Sequence, residues 1–303
     1  MPAAPPLVLG VTAVMLPELD FDEQIALCVD CGVTAYVFRP RVIPDRARDQ
    51  PYSNWGNHRF DLTPQRLADE GQQLAARLLD AGINPVGTVP AGANGDDEDA
   101  FRLDLAGAAA GRCRHMRIQL PAMPDGLFDW PDYLAKTRDR LARLIELATP
   151  YGVKLVIEMH AGSAAVDAVA ARNLCDGFDP DRLGLIFDLP NLSREGIRHA
   201  ELTLSAIRPY IDHAHVGGFT HHPATPAPGG DRPRDDAGFA KPAGTMSALS
   251  DGDLHTPTWL ALLREAAPHA ELIVEDYTPD KPGADRLRDT VHDVRRALAQ
   301  SAG

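Results

Sequence analysis

Apolar runs rich in β-branched residues alternate with amphipathic helical patterns from one end of the chain to the other. The runs are continuous and do not alternate with polar residues, which is typical of strands that are buried on both faces. On this basis we predict eight strands. They span Leu7–Val14, Thr34–Phe38, Ile83–Val89, Met116–Leu120, Leu155–His160, Leu183–Leu189, Ile211–Gly217 and Leu272–Tyr277.

Helical patterns fill the intervals between these strands. Thr63 and Pro64 supply an N-cap and a first-turn proline for one helix, whose apolar stripe includes Leu67 and Leu74. Eight strand–helix cycles predict an α/β protein, a (β/α)8 TIM barrel formed by residues 1–303 as a single domain. A doubly wound open sheet, the competing architecture, would carry a glycine-rich fingerprint after its first strand, and the sequence has neither that fingerprint nor a P-loop.

Two connections are longer than a barrel requires. They are residues 40–63, after the second strand, and residues 218–255, after the seventh. Because each follows the carboxyl end of a strand, both are predicted to lie over the C-terminal face of the barrel. A loop of this length is usually a lid or a partner-binding segment, and a tolerated surface insertion is the alternative.

Charge limits the classes of partner. With 30 Lys and Arg against 43 Asp and Glu, the formal net charge is −13, which disfavours nucleic acid and anionic membranes. The apolar start lacks the basic region of a signal peptide, and no run is long enough for a transmembrane helix. We therefore expect a cytoplasmic protein that acts on a small molecule. Cys28 and Cys31 lie on a helical pattern, where core cysteines are favoured over a redox or metal site.

Candidate chemistry is concentrated at the carboxyl ends of the last four predicted strands, where barrels build their sites. Each strand leads an apolar run to one side chain that can bind a metal: Glu158, Asp188, His215 and Glu275. Three carboxylates at one barrel mouth would repel one another unless their pKa values rose or a cation joined them. Three oxygens and one imidazole suit Mn²⁺ best, with Mg²⁺, Co²⁺, Fe²⁺ or Zn²⁺ also compatible. The alternative is a metal-free network of the same groups.

The segments that carry these residues also point to a family. They are IEMH at 157–160, FDLPN at 187–191, HAHV at 213–216, GDL at 252–254 and LIVE at 272–275. Together they resemble the sugar phosphate isomerase/epimerase superfamily of xylose-isomerase-like TIM barrels, which includes ketose 3-epimerases and hydroxypyruvate isomerases. The resemblance implies that Glu158, Asp188, His215 and Glu275 are metal ligands and that His160 faces the substrate.

The resemblance further implies a metal-dependent sugar isomerase or epimerase. Its chemistry would be proton abstraction next to a carbonyl, through an enediolate that the metal stabilises. In the epimerase branch, Glu158 and Glu275 would also form the acid/base pair on opposite faces of the substrate. The substrate contacts depart from the epimerase pattern, since Asn191 replaces a histidine, Ala164 replaces a glutamate and an arginine after the seventh strand is missing.

Polar residues near the predicted rim complete the candidate substrate site. A sugar ring stacked on Trp55 is plausible because aromatic faces pack against sugars while polar neighbours fix the hydroxyls. By contrast, His115 is expected at the bottom of the barrel, and His213 is expected in the core or behind the ligands. The candidate substrate-binding residues are His160, Asn191, Arg39, Trp55, His58 and Gln119.

Other functions stay open at this point. The segment FDLPNLSREG, followed later by YIDHAHV, is similar to the catalytic subunits of C-glycoside deglycosidases. That similarity implies a lyase acting on 3-keto-glycosides, with a small second subunit. A metal-dependent phosphodiesterase of the apurinic endonuclease type needs further His and Glu ligands on the early strands, which offer none. A noncatalytic sugar-binding barrel is the remaining alternative. Because such barrels commonly associate, we also expect a homo-oligomer.

Overall fold

Eight parallel strands close into a barrel in the computed structural model of this protein, which describes residues 7–222 and 244–301. Successive barrel strands are neighbours, and the last pairs with the first. The predicted (β/α)8 barrel is therefore confirmed. The barrel strands are β1 (Leu9–Thr12), β2 (Ala35–Phe38), β3 (Asn84–Thr88), β4 (His115–Ile118), β5 (Lys154–Glu158), β6 (Leu183–Asp188), β7 (Ile211–Val216) and β10 (Leu272–Val274); β8 (Gly218–His221) and β9 (Gly244–Ser247) form a separate antiparallel hairpin.

Helices surround the barrel and bury their apolar stripes against it. In α3 the Thr63 hydroxyl accepts a hydrogen bond from the Arg66 amide at 3.1 Å, and Leu67 and Leu74 are buried, as the sequence pattern predicts. Within the described residues, no helix is both long and apolar enough to cross a bilayer. The helices are α1 (Phe21–Cys31), α2 (Asp45–Arg48), α3 (Pro64–Asp80), α4 (Glu98–Ala110), α5 (Trp130–Ala148), α6 (Ala168–Cys175), α7 (Leu189–Arg194), α8 (Ala200–Ile207), α9 (Thr256–Ala266) and α10 (Gly283–Ser301).

β1, β2, β6 and β7 are buried along their whole length because the barrel interior covers one face and the helices cover the other. The free thiols of Cys28 and Cys31 are buried on α1, as expected for core residues. Burial raises the pKa of Cys28 to about 12, so this thiol stays protonated at neutral pH.

Both long connections contribute to the upper face of the barrel. Residues 40–63 contain α2 and a short bridge between Tyr52 and Asn57, which brings Trp55 over the barrel mouth. Residues 218–255 begin with β8 and continue, after a stretch that lies outside the described residues, with β9. Met246 of β9 reaches the barrel mouth as well. Part of each connection therefore lines the opening.

A bulge in β7 places charged residues inside the lower barrel. The pairing of β6 with β7 passes from Leu185–Ile211 to Ile186–His213, so Asp212 is an extra residue on β7. Its Oδ1 atom lies 2.9 Å from Nδ1 of His213 and 3.1 Å from Nδ1 of His115, and its Oδ2 atom lies 2.8 Å from Nζ of Lys154. The bottom of the barrel is thus a buried polar network, and His115 lies there as predicted.

Asp104 on α4 is a buried carboxyl far from the four residues at the barrel mouth, and its effect on the stability of the protein can be measured separately. Its side chain is buried and its Oδ1 atom has no hydrogen-bond partner in the described part of the chain. Burial raises the pKa of Asp104 from 3.8 to about 7. The unfolded state loses the Asp104 proton near pH 3.8, whereas the native state keeps it up to about pH 7. Native stability is therefore unaffected by this group below pH 3.8 and falls as the pH rises to about 7.

We expect Asp104→Asn to raise the free energy of unfolding at pH 8 by about 1–3 kcal/mol, because it removes an unpaired buried charge. The gain should shrink as the pH falls below about 7 and disappear near pH 3.8, below which the carboxyl is protonated in both the native and the unfolded state. Urea denaturation at the two pH values measures the difference. Asp99→Asn, on the exposed side of the same helix, is the matched control; equal effects of both variants at both pH values would contradict the assignment.

Candidate metal centre

Four side chains from consecutive barrel strands meet at the barrel mouth. Glu158 ends β5, Asp188 ends β6, His215 lies near the end of β7 and Glu275 directly follows β10. One candidate ligand atom from each lies within 4.8 Å of the others. Nδ1 of His215 is 3.0 Å from Asp188 Oδ2, 3.2 Å from Glu275 Oε2 and 3.7 Å from Glu158 Oε1. The structure therefore brings together all four residues that the strand ends predict.

Local sequence fixes the direction of the Asp188 carboxylate. Asp188 is both the last residue of β6 and the N-cap of α7, and its Oδ1 atom accepts a hydrogen bond from the Asn191 amide at 2.7 Å. Pro190 in the first turn of α7 needs no amide partner there. With Oδ1 held by the helix, Oδ2 is directed to His215. The FDLPN segment thus presents one oxygen to the cluster.

The pKa values in the cluster are shifted because three carboxylates and one imidazole lie close together and away from solvent. Burial, with Glu158 and Glu275 nearby, raises the pKa of Asp188 to about 6 in spite of its hydrogen bond to His215. Burial also opposes ionisation of Glu158, but the Arg117 guanidinium and His215 outweigh it and lower the pKa of that carboxyl well below its usual range. Burial likewise opposes a charge on His215, and Glu275 and Asp188 override it by raising the His215 pKa well above normal. Without a metal, the carboxylates around His215 therefore favour a proton on its imidazole.

The donor set fits a divalent metal. It offers three carboxylate oxygens and one imidazole nitrogen from side chains that are buried or nearly so, and each element that carries them is anchored in the barrel. A bound cation would replace the proton on His215 and relieve the repulsion between the carboxylates. Within the described residues, thiols are absent from the cluster, which argues against a structural zinc site.

A cavity of about 250 Å³ lies directly above these ligands. Four of the six predicted substrate-binding residues line it, namely His160, Asn191, Arg39 and Trp55. The Trp55 ring packs at 5.3 Å, centroid to centroid, on Tyr277, which also lines the cavity. The side-chain amide nitrogen of Asn191, Nδ2, lies 3.5 Å from Oε1 of Glu158. This residue therefore connects the candidate ligands to the cavity wall.

The other two predicted residues lie elsewhere. Gln119 is exposed and does not line the cavity, because β4 ends at Ile118 and the Gln119 backbone turns away to donate to the Ala93 carbonyl. His58 is buried beneath the loop, with Nε2 3.0 Å from the Asn54 carbonyl. Burial lowers the pKa of His58 to about 4, so it is a neutral residue that supports the loop.

Two residues that sequence reasoning missed are prominent in the cavity. Arg117 of β4 forms an ion pair with Glu158, and the Tyr277 hydroxyl is buried without a hydrogen-bond partner among the described residues. Arg117 could have been identified from the sequence, because it is a charged residue inside the predicted strand Met116–Leu120. It also shares a strand face with Gln119, which is one of the predicted substrate-binding residues. Tyr277 follows Glu275 by two residues, which is the same relation that singles out His160 after Glu158.

The second group of residues with metal-like spacing lies in the lower barrel. It comprises His115, Asp212 and His213. Its single carboxylate already has the Lys154 ammonium 2.8 Å away, and both imidazole Nδ1 atoms face the same carboxylate oxygen. The charge of Asp212 is therefore balanced by the protein itself, and the barrel mouth is the better metal centre.

The fold and this cluster define a class of parallel eight-stranded barrel proteins whose polar site lies at the carboxyl ends of the strands. Residues 25–297 match the family model of xylose isomerase-like TIM barrels, and the chain belongs to that family. No curated protein is significantly similar to the chain in sequence.

Solved structures similar to this chain share its fold at low sequence identity. A 3-keto-D-glucoside 4-epimerase from E. coli superposes with a TM-score of 0.65 at 14% identity, covering 96% of this chain and 100% of that one. A xylose isomerase-like TIM barrel protein from Mycobacterium smegmatis in complex with magnesium has a TM-score of 0.61 at 15% identity, covering 98% of each chain. The IOLI protein with a bound zinc atom has a TM-score of 0.66 at 15% identity, covering 97% of this chain and 98% of that one.

Proposed function

We propose that this protein is a divalent-metal-dependent isomerase or epimerase that moves a proton at a carbon next to a carbonyl group, most simply on a sugar. The observation that carries the proposal is the convergence of Glu158, Asp188, His215 and Glu275 below a small polar cavity. The epimerase, magnesium and zinc descriptions of the similar structures support it. Three oxygens and one imidazole favour Mn²⁺ as the metal.

Each residue of the centre has a defined part in this proposal. A divalent cation held by the four ligands would stabilise negative charge on substrate oxygens as the carbon-bound proton leaves. Glu158 and Glu275 both line the cavity, so each can reach a substrate as well as the cluster. One carboxylate would accept the proton and the other would return it to the opposite face of the carbon. Asp188 also lines the cavity, but it and His215 are more deeply buried and would only hold the metal.

Neighbouring side chains would orient the substrate and exclude water. Burial, together with Glu275, raises the Tyr277 pKa well above normal, so its hydroxyl stays a neutral donor. Its unpaired position suits a hydrogen bond to a substrate oxygen. Trp55, 63% exposed, offers an aromatic face above the opening.

Metal stoichiometry and solvent-proton exchange test this function together. We expect equilibrium dialysis to find one Mn²⁺ per chain and His215→Ala to lose it, because that variant removes the ligand at the centre of the carboxylates. With ketoses in D₂O, the metal-loaded protein should introduce deuterium at the carbon next to the carbonyl, which proton NMR detects. His269→Ala, which changes a histidine far from the cluster, is the control.

Each alternative function gives a different result. Two or more metals at the barrel mouth would favour a phosphodiesterase. Deuterium exchange followed by release of an aglycone from a 3-keto-glycoside would favour the lyase. Sugar binding that needs no metal, without any exchange, would contradict the proposal and favour a binding protein.

A further inference from the structure

Three arginines line the cavity above the ligands, and two of them are partly buried. Arg39 directly follows β2, and Arg117 lies on β4. The Arg39 Nη1 atom donates to the Val89 carbonyl at 2.5 Å, which is a neutral partner, while the nearby Glu275 carboxylate favours the guanidinium charge. A third arginine, Arg194, lines the outer part of the same cavity and is exposed. Positive charge therefore surrounds the space in which a substrate would lie.

The ion pair between Arg117 and Glu158 leaves part of Arg117 available to a ligand. The pair is formed through Nε of Arg117 and Oε2 of Glu158, while Oε1 of Glu158 faces His215. The Arg117 side chain is 17% exposed, and the residue lines the cavity. A guanidinium has five N–H donors, so one contact through Nε does not saturate it.

Counting the metal, its ligands and the two partly buried arginines, the formal charges leave an excess of one positive charge once a metal is bound. Arg194 is left out of this count because it is exposed and solvent screens its charge. Glu158, Asp188 and Glu275 supply three negative charges. A divalent cation together with Arg39 and Arg117 supplies four positive charges, since His215 as a ligand would be neutral. Burial and the nearby Arg117 lower the pKa of Arg39, which shows that keeping both cations here has a cost. An anion bound between them would offset that cost.

We infer that the substrate carries a carboxylate group, held by Arg39 and Arg117 while its hydroxy-ketone part lies over the four ligands. This inference rests on the proposed function, which supplies the metal. A carboxylate has the single negative charge that neutralises the cavity, and its two coplanar oxygens match the guanidinium fork. A phosphate, at about −1.5 to −2 near pH 7, would exceed the single positive charge left by the metal, its ligands and the two partly buried arginines. The volume of about 250 Å³ suits a molecule of monosaccharide size.

Three ligands with the same carbon skeleton test the inference by calorimetry on the Mn²⁺-loaded protein. They are D-fructose, D-fructuronate, in which the terminal CH₂OH is a carboxylate, and D-fructose 6-phosphate. We expect D-fructuronate to bind at least about tenfold more tightly than the other two, because a charge-assisted pair with arginine is gained. Arg39→Gln should weaken binding of the acid by about tenfold or more and weaken binding of D-fructose by a clearly smaller factor, because only the acid loses a charge-assisted pair. Arg39→Lys keeps the charge but loses the planar pair of N–H donors. Its affinity for the acid should therefore lie between that of the unchanged protein and that of Arg39→Gln.

Arg46→Gln is the matched control, because Arg46 is exposed on α2 and its loss changes net charge equally. Equal binding of D-fructose and D-fructuronate, failure of the acid to bind at millimolar concentration, or an acid preference that survives in Arg39→Gln would overturn the inference. Tighter binding of the phosphate would overturn the choice of a carboxylate. The Mn²⁺ stoichiometry, measured on the same samples, keeps the two proposals separate: a protein that binds no metal contradicts the proposed function, whereas a metal-loaded protein without acid preference contradicts only this inference.

Discussion

Glu275→Gln is expected to slow the interconversion of two epimeric substrates by about a thousandfold, with Mn²⁺ held at saturation. Glutamine preserves the size of the side chain and one oxygen donor but cannot accept the proton, and positioned acid/base groups contribute about 10²–10⁴ in rate. Glu158→Gln should have a loss of the same order. Both side chains line the cavity next to the candidate metal centre, so both can approach a substrate bound there.

The two variants should differ in which epimer still exchanges its carbon-bound proton with deuterium from the solvent. If Glu158 and Glu275 serve opposite faces, each variant keeps deuterium exchange with one epimer and loses it with the other. Proton NMR in D₂O with each epimer measures this directly. Glu146→Gln, an exposed glutamate on α5, controls for the general effect of removing a carboxylate. Full exchange with both epimers in either site variant would contradict the assigned acid/base roles.

Asp212→Asn is expected to lower the free energy of unfolding at pH 7 by about 3–5 kcal/mol, because the Lys154 ammonium would lose its buried partner. Burial opposes ionisation of Asp212, but hydrogen bonds from His115 and His213 outweigh it and hold the Asp212 pKa far below its usual range. A depressed carboxyl pKa stabilises the native state above the unfolded pKa near 3.8, and that stabilisation is lost as the pH falls. At pH 7 the full contribution is present.

Urea denaturation of single and double variants measures the value of this network. The loss caused by Asp212→Asn should be much smaller in a Lys154→Met background, since the unpaired ammonium is then absent. Asp132→Asn removes an exposed carboxylate that lies 2.7 Å from Lys136 and should cost far less. A loss no greater than that of the exposed pair would show that the buried network contributes little to stability.

The fold could be predicted because its signals are local. Each barrel strand reads as an apolar run, and the helices between them carry caps and stripes that any short window reveals. The clustering of the four candidate ligands could be predicted for a related reason: Glu158, Asp188, His215 and Glu275 each interrupt an apolar run at the place where a parallel strand ends. Carboxyl ends of parallel strands meet at one edge, so the residues needed no long-range information to be grouped.

The cavity wall was harder to predict because it depends on side-chain direction. β4 ends at Ile118, so Arg117 faces the cavity and Gln119 does not, although both share a strand face in the sequence pattern. If the predicted end of a strand is wrong by one or two residues, a residue assigned to the barrel interior belongs instead to the following loop. His58 and Trp55 belong to one loop, yet folding of that loop buries the first and exposes the second above the opening.

The sequence by itself determined the order of the eight strands, the helices between them and the four side chains at the barrel mouth. Those properties follow from hydrophobic burial and from strand polarity, which act along a few residues of chain. Only the tertiary structure decided that Arg39 and Arg117 share one cavity, and that Asp212 enters the lower barrel through a bulge in β7. Closure of the barrel sets the register between distant strands, and register decides which side chains face one another.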